Sequence, residues 1–149
     1  MIKQNQSKAF IPEKAKIKSC SAARETIVFS YSHVCSSDEY NFNCFKSKKK
    51  TALMAESVAA LHNKFGEMSK MTWDDFFSKP RKSGMEYIPV SEFKSTFINS
   101  INYKLTDDDK LIVVRFCAQD YRVILKRGSK CGRVAQVLGI DLDLDLYEH

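Results

Sequence analysis

The stretch from residue 110 to residue 149, KLIVVRFCAQDYRVILKRGSKCGRVAQVLGIDLDLDLYEH, decides how this chain folds. Three of its runs, KLIVVRF (110–116), YRVILKR (121–127) and GRVAQVLGI (132–140), are dense in β-branched residues. They are separated by the short polar connections CAQD and GSKCG, and that spacing predicts a three-stranded antiparallel meander. The run DLDLDL (141–146) then alternates with period two. On a strand, Asp141, Asp143 and Asp145 share one face while Leu142, Leu144 and Leu146 share the other. The expectation is a half-buried edge strand with its leucines inward. Its charged outer face guards the edge and holds Tyr147 and His149 beside the basic strands. A magnesium site on the three carboxylates is the alternative. The calcium-loop pattern is not met, because that loop needs glycine at position six, where this chain has Leu146.

Working back from that stretch, TDDD (106–109) is a turn or cap, and SEFKSTFINSI (91–101) places Phe93, Phe97 and Ile101 on one face of a short helix. RKSG (81–84) is a basic loop. In MTWDDFFSKP (71–80), Thr72 is an N-cap with acids in the first turn and Pro80 a stop, so Trp73, Phe76 and Phe77 pack a short helix onto the core. The clearest helix lies in residues 47–65, with Met54, Val58, Leu61 and Phe65 as its apolar stripe and Gly66 as its end. ETIVFSY (25–31) and YNFNCF (40–45) are expected to pair as a hairpin. Residues 1–24 are polar and cation-rich, and are expected to form a flexible basic arm ahead of a single domain spanning 25–149. Strands, then helices, then a run of strands predict an α+β fold, an antiparallel sheet with helices packed on one face.

No apolar run approaches the roughly 20 residues that cross a bilayer, so no membrane association is expected. The leading residues MIKQNQSKAFIPEKAKIK have cations but no apolar core of a secretory signal, and a cytoplasmic location follows. Cys20, Cys35, Cys44, Cys117 and Cys131 include no C-x-x-C pair, so reduced thiols are expected. His33, His62 and His149 are equally dispersed.

The formal charge of +6 and a pI near 9.0 suggest a polyanion or an acidic protein as partner. Arg115, Arg122, Lys126, Arg127, Lys130 and Arg133 are the densest cations in strand-like sequence. With Tyr121 and Tyr147 nearby they can hold phosphates and stack bases, or serve simply as a solvated sheet surface. Lys48, Lys49 and Lys50 stand at a helix start, where the macrodipole disfavours cations, and a phosphate-binding patch is compatible with that placement. The chain has no nucleophile elbow, glycine-rich phosphate loop or zinc motif. Any catalysis would rest on Arg, Lys, Tyr or His stabilising charge, with no cofactor and no metal.

DYRVIL, a turn and VAQVLGIDLDLDLY together resemble the end of RelE/ParE-type bacterial toxins, which close in a curled antiparallel sheet with a strand arginine and a terminal tyrosine. MTWDDFF, VVRF and LYEH are also similar to a family of small uncharacterised bacterial proteins ending in LY-[DE]-H, over roughly residues 26–149. The toxin resemblance implies messenger RNA cleavage on the ribosome. Arg122, Lys126, Arg127 and Arg133 would clamp phosphate, Tyr147 would act as acid/base or stacking group, and His149 as general acid. It also implies an acidic antitoxin as partner, in a toxin–antitoxin or phage-conflict setting. Many such toxins carry a basic segment before the tyrosine, where this chain has DLDLD, and those carboxylates repel a phosphate. The resulting expectation is an RNA-directed toxin-like protein, a metal-independent mRNA interferase or ribosome-associated inhibitor. The alternative is a non-catalytic nucleic-acid- or protein-binding inhibitor that occludes its target.

Overall fold

In the computed structural model, residues 25–46, 51–80, 85–118 and 120–148 are described. The basic arm 1–24, the Lys48–Lys50 run, the 81–84 loop and His149 lie outside them. The three C-terminal runs form β3 (Lys110–Phe116), β4 (Tyr121–Arg127) and β5 (Val134–Asp141), contiguous and antiparallel as their spacing predicts. Two edge strands complete a five-stranded sheet in the order β1-β5-β4-β3-β2, with β1 at Val28–Ser30 and β2 at Met85–Pro89.

The sheet is mixed, which corrects the purely antiparallel expectation: β1 runs parallel to β5, pairing Val28 with Val134 and Ser30 with Gln136. The expected hairpin partner of β1 fails for a local reason. Asn41 and Asn43 both donate to the Asp38 carboxylate, and the Asn43 N–H donates to the Asn41 side chain at 2.8 Å. Short polar side chains that bond the nearby chain favour turns over strands. Phe42–Lys46 is accordingly a 3₁₀ turn. The neighbouring segment is instead fastened to β5 by the Cys35 N–H to Leu138 O (2.8 Å) and the Ile140 N–H to Tyr40 O (2.7 Å).

The layers also differ from the expectation. Leu111–Val114 and Val123–Leu125 are buried without alternation, because these central strands are covered on both faces. On one face, α1 (Thr51–Met68) and α2 (Trp73–Phe77) pack Met54, Leu61, Phe65, Trp73 and Phe76 against Val114, Val123 and Val137. On the other, Phe93 just before α3 (Ser95–Asn99), Phe97 within it, and Leu146 and Tyr147 of the C-terminal segment pack against Val113, Ile124 and Leu138. The α1 stripe takes buried Ser57 in place of Val58, which is 47% exposed, and the helix continues past Gly66. Thr72 and Asp75 form a reciprocal capping box at the start of α2. Cys35, Cys44 and Cys117 are free thiols; Cys131 is disulfide-bonded, which departs from the expectation of reduced thiols.

The acidic alternation is not a strand. After Asp141 the chain turns, with Leu144 at φ 58°, and the Asp141 carboxylate accepts the N–H groups of Asp145 (3.3 Å) and Leu146 (3.1 Å). The closed turn aligns residue 147 with Phe93 in an isolated antiparallel bridge, and the Lys94 N–H donates to Leu146 O at 2.8 Å. Leu142 and Leu146 are buried as expected, but Leu144 is 36% exposed and Asp141 is fully buried.

Candidate nucleic-acid interface

Strand register brings several of the sequence-predicted residues together on the α3 side of the sheet. Arg115 faces Arg122 across β3 and β4, and Arg122 faces Asp141 across β4 and β5. Glu86 on β2 joins this row through its carboxylate, which accepts from Arg115 Nη2 at 2.8 Å. Tyr147 lies over the row and packs its ring on Phe93 at 5.2 Å between centroids. Arg122 and Tyr147, the strand arginine and terminal tyrosine of the resemblance, are therefore neighbours. Both are enclosed, at 7% and 6% exposure.

The electrostatics of that row suit a structural network. Burial pushes the Tyr147 phenol above its usual range; the Arg122 guanidinium opposes the rise, and Glu86 and Asp141 add to it. A phenol acting as general base needs the opposite shift, toward neutrality. Burial likewise raises the Asp141 carboxyl, although the backbone N–H groups it accepts pull it back. The three carboxylates of the alternation do not converge: Asp141 faces inward, Asp143 is exposed, and Asp145 pairs with Lys94 Nζ at 2.8 Å and the Tyr40 hydroxyl at 3.1 Å.

Of the other predicted cations, Lys126, Arg127 and Arg133 are engaged at separate places. Lys126 donates to Asp109 at 2.8 Å. Arg127, on the opposite face, donates to Gly132 O at 2.7 Å and lies 5.7 Å from the Trp73 ring centroid. Arg133 donates to Thr26 O at 3.0 Å and pairs with Glu25. Lys130 is exposed in the connection between β4 and β5. The chain's positive excess follows the same division. Residues 1–24 carry six cations and one acid, while residues 25–149 carry eighteen cations and seventeen acids.

A groove of about 600 Å³ opens on the α3 side of the sheet, where Gln136 of β5 meets the β4–β5 connection and the 102–104 segment. Its walls include His33, Tyr103, Lys104, Ser129, Lys130 and Gln136. Of these only Lys130 is marked out by the sequence pattern. The rest come from four separate segments, and no spacing rule joins them. No family model, no curated protein and no solved structure matches this chain.

Proposed function

We propose that this chain is an RNA-binding protein that acts by occupancy, a RelE/ParE-like α+β domain that holds RNA without cutting it. The observation that carries the reading is the division of charge. Most cations of the strands already meet acceptors of their own domain, and the positive excess resides in residues 1–24. Polyanion affinity then comes from the basic segment tracking phosphates, with release of their counterions. The enclosed Arg122 and Tyr147 brace the C-terminal turn, out of reach of a scissile phosphate.

The test is fluorescence anisotropy with a single-stranded RNA across a salt series in EDTA. Replacing Lys3, Lys8, Lys14, Lys16 and Lys18 with Gln is expected to flatten the salt slope by up to about 3.5, at ~0.7 per phosphate contact. The RNA is expected to remain full length. A slope unchanged by the five substitutions counts against this reading. The second reading, a metal-independent endoribonuclease, is favoured by the proximity of Arg122 and Tyr147. RNA cleavage in EDTA that disappears in Tyr147→Phe selects it.

A further inference from the structure

The groove beside Gln136 has a chemistry that the occupancy reading does not use. Two ammonium groups, Lys104 and Lys130, stand on its walls, and no carboxylate lines it among the described residues. Tyr103 is a half-buried ring held edge-on to His33, with 4.8 Å between centroids and 78° between planes. His33 is fixed in turn by its Nδ1, 2.5 Å from Asn102 O; with that nitrogen donating, Nε2 is left as the ring's free nitrogen. Tyr103 is thus a positioned aromatic wall. At the inner side, the Gln136 side chain carries a buried amide oxygen that no donor among the described residues reaches. A buried acceptor without a donor costs stability, so its presence here points to a donor arriving from outside. The hairpin carrying Lys130 is tight, with the Gly128 N–H on Val134 O at 2.8 Å and the Val134 N–H on Cys131 O at 3.1 Å. A Cβ at Gly128 would stand 2.7 Å from Cys131 O, so this turn requires glycine.

An anion subsite, a planar wall and a lone inward acceptor in about 600 Å³ together match one ligand chemistry. We propose that the groove seats a nucleoside monophosphate unit: phosphate on Lys104 and Lys130, base against Tyr103, and a base N–H donating to the Gln136 amide oxygen. Stacking accepts any base, while the amide demands a donor on its edge. The unit has two sources, a free nucleotide or one residue of an RNA strand. The second rests on the occupancy reading above; the groove's own affinity does not.

The experiment titrates the full chain with AMP, with its N6,N6-dimethyl analogue, which has no base N–H, with ribose 5-phosphate, and with a single-stranded RNA oligonucleotide. Wild type is compared with Tyr103→Ala, Gln136→Met and Lys104→Ala/Lys130→Ala, with melting curves confirming that each variant is folded. Saturable AMP binding is expected, weakened roughly ten-fold by Tyr103→Ala, the scale of one lost base stack. The dimethyl analogue is expected to bind more weakly to wild type but equally to Gln136→Met. If Tyr103→Ala does not fold, the surface pair Lys104→Ala/Lys130→Ala supplies the loss. Failure of AMP to saturate, or affinity unmoved by all three variants, overturns the proposal. Equal binding of AMP and the dimethyl analogue to wild type overturns the role of Gln136 and with it the base subsite. AMP binding without oligonucleotide binding retains the groove and removes RNA as its source. Oligonucleotide binding that ignores the groove variants, with no AMP binding, leaves the occupancy reading standing and removes this one.

Discussion

The Asp141 carboxylate closes the C-terminal turn from inside, which makes it a structural acceptor for the N–H groups of Asp145 and Leu146. Asp141→Ala leaves the buried Leu146 N–H unmet at the base of the turn, at a cost of about 1–3 kcal/mol, while the part-buried Asp145 N–H can turn to water. A urea midpoint lowered by that scale is the expected outcome. The leucines divide unequally in the same turn. Leu146 is fully buried, so Leu146→Ala is expected to cost about 2–5 kcal/mol. Leu144 is partly exposed and left-handed, so Leu144→Gly relieves backbone strain while losing some burial and chain stiffness, a net change below about 1 kcal/mol. Equal losses from both substitutions would mean that the segment is a strand after all. At this scale the sequence was partly readable. The RelE/ParE resemblance pairs Arg122 with Tyr147, and the structure makes them neighbours. The strand reading fails at Asp141 because a period-two pattern specifies alternate faces only while the backbone stays extended. Nothing in the letters DLDLDL announces that the first carboxylate folds the remainder back on itself.

β5 shows how close contact, as well as pattern, sets the position of an element. A Cβ on Gly139 would lie 2.5 and 2.9 Å from the Phe97 ring and 3.1 Å from Tyr40 O, so only glycine lets α3 and the 35–40 segment approach the strand. This lies beside the register shift between β4 and β5 at Ile124 and Leu125, a place where strand glycines are common. Gly139→Ala is expected to cost about 1–3 kcal/mol by overpacking, and Phe97→Leu in the same chain to recover part of it, read as coupling in a double-mutant cycle on denaturant midpoints. Purely additive losses would separate the two sites. At α2, Thr72→Ala removes half of the capping box and is expected to cost about 0.5–2 kcal/mol by the same measurement. That cap and the meander were legible because each is a local signal carried by adjacent residues. The parallel pairing of β1 with β5 was not, since about a hundred residues separate Val28 from Val134. The second layer did leave a trace: LIVV and VIL run apolar without alternation, as central strands covered on both faces do. β2 is not legible, because a short edge strand ending at Pro89 has little pattern of its own.

Across the whole molecule, titration opposes two kinds of carboxylate, and the signs predict a non-monotonic pH dependence. The hydrogen bond from Lys126 holds Asp109 below its ordinary range, with the Thr106 N–H helping. Glu67 is lowered in the same way, first by Lys79. For such groups the unfolded chain binds the extra proton, so their stabilisation is complete above the unfolded values of about 3.9 for Asp and 4.3 for Glu, and is lost as pH falls through the folded values. Asp141 has the reverse sign. Burial raises its folded value, so between about 3.9 and that raised value the folded chain binds the extra proton. Stability therefore falls as pH rises through that window, and acidification from neutrality first recovers it. The thermal midpoint at fixed ionic strength is expected to rise as pH is lowered from 7 toward the Asp141 window. It should then drop below about pH 4 as Asp109 and Glu67 protonate. Asp141→Asn removes the titrating group while keeping one carbonyl acceptor for the turn. It is expected to lose the initial rise and keep the acid drop, whereas Asp109→Asn should soften only the drop. A wild-type midpoint that declines steadily from pH 7, with Asp141→Asn giving a parallel curve, would show that Asp141 is buried without a proton-linked cost, and would remove it from the pH response.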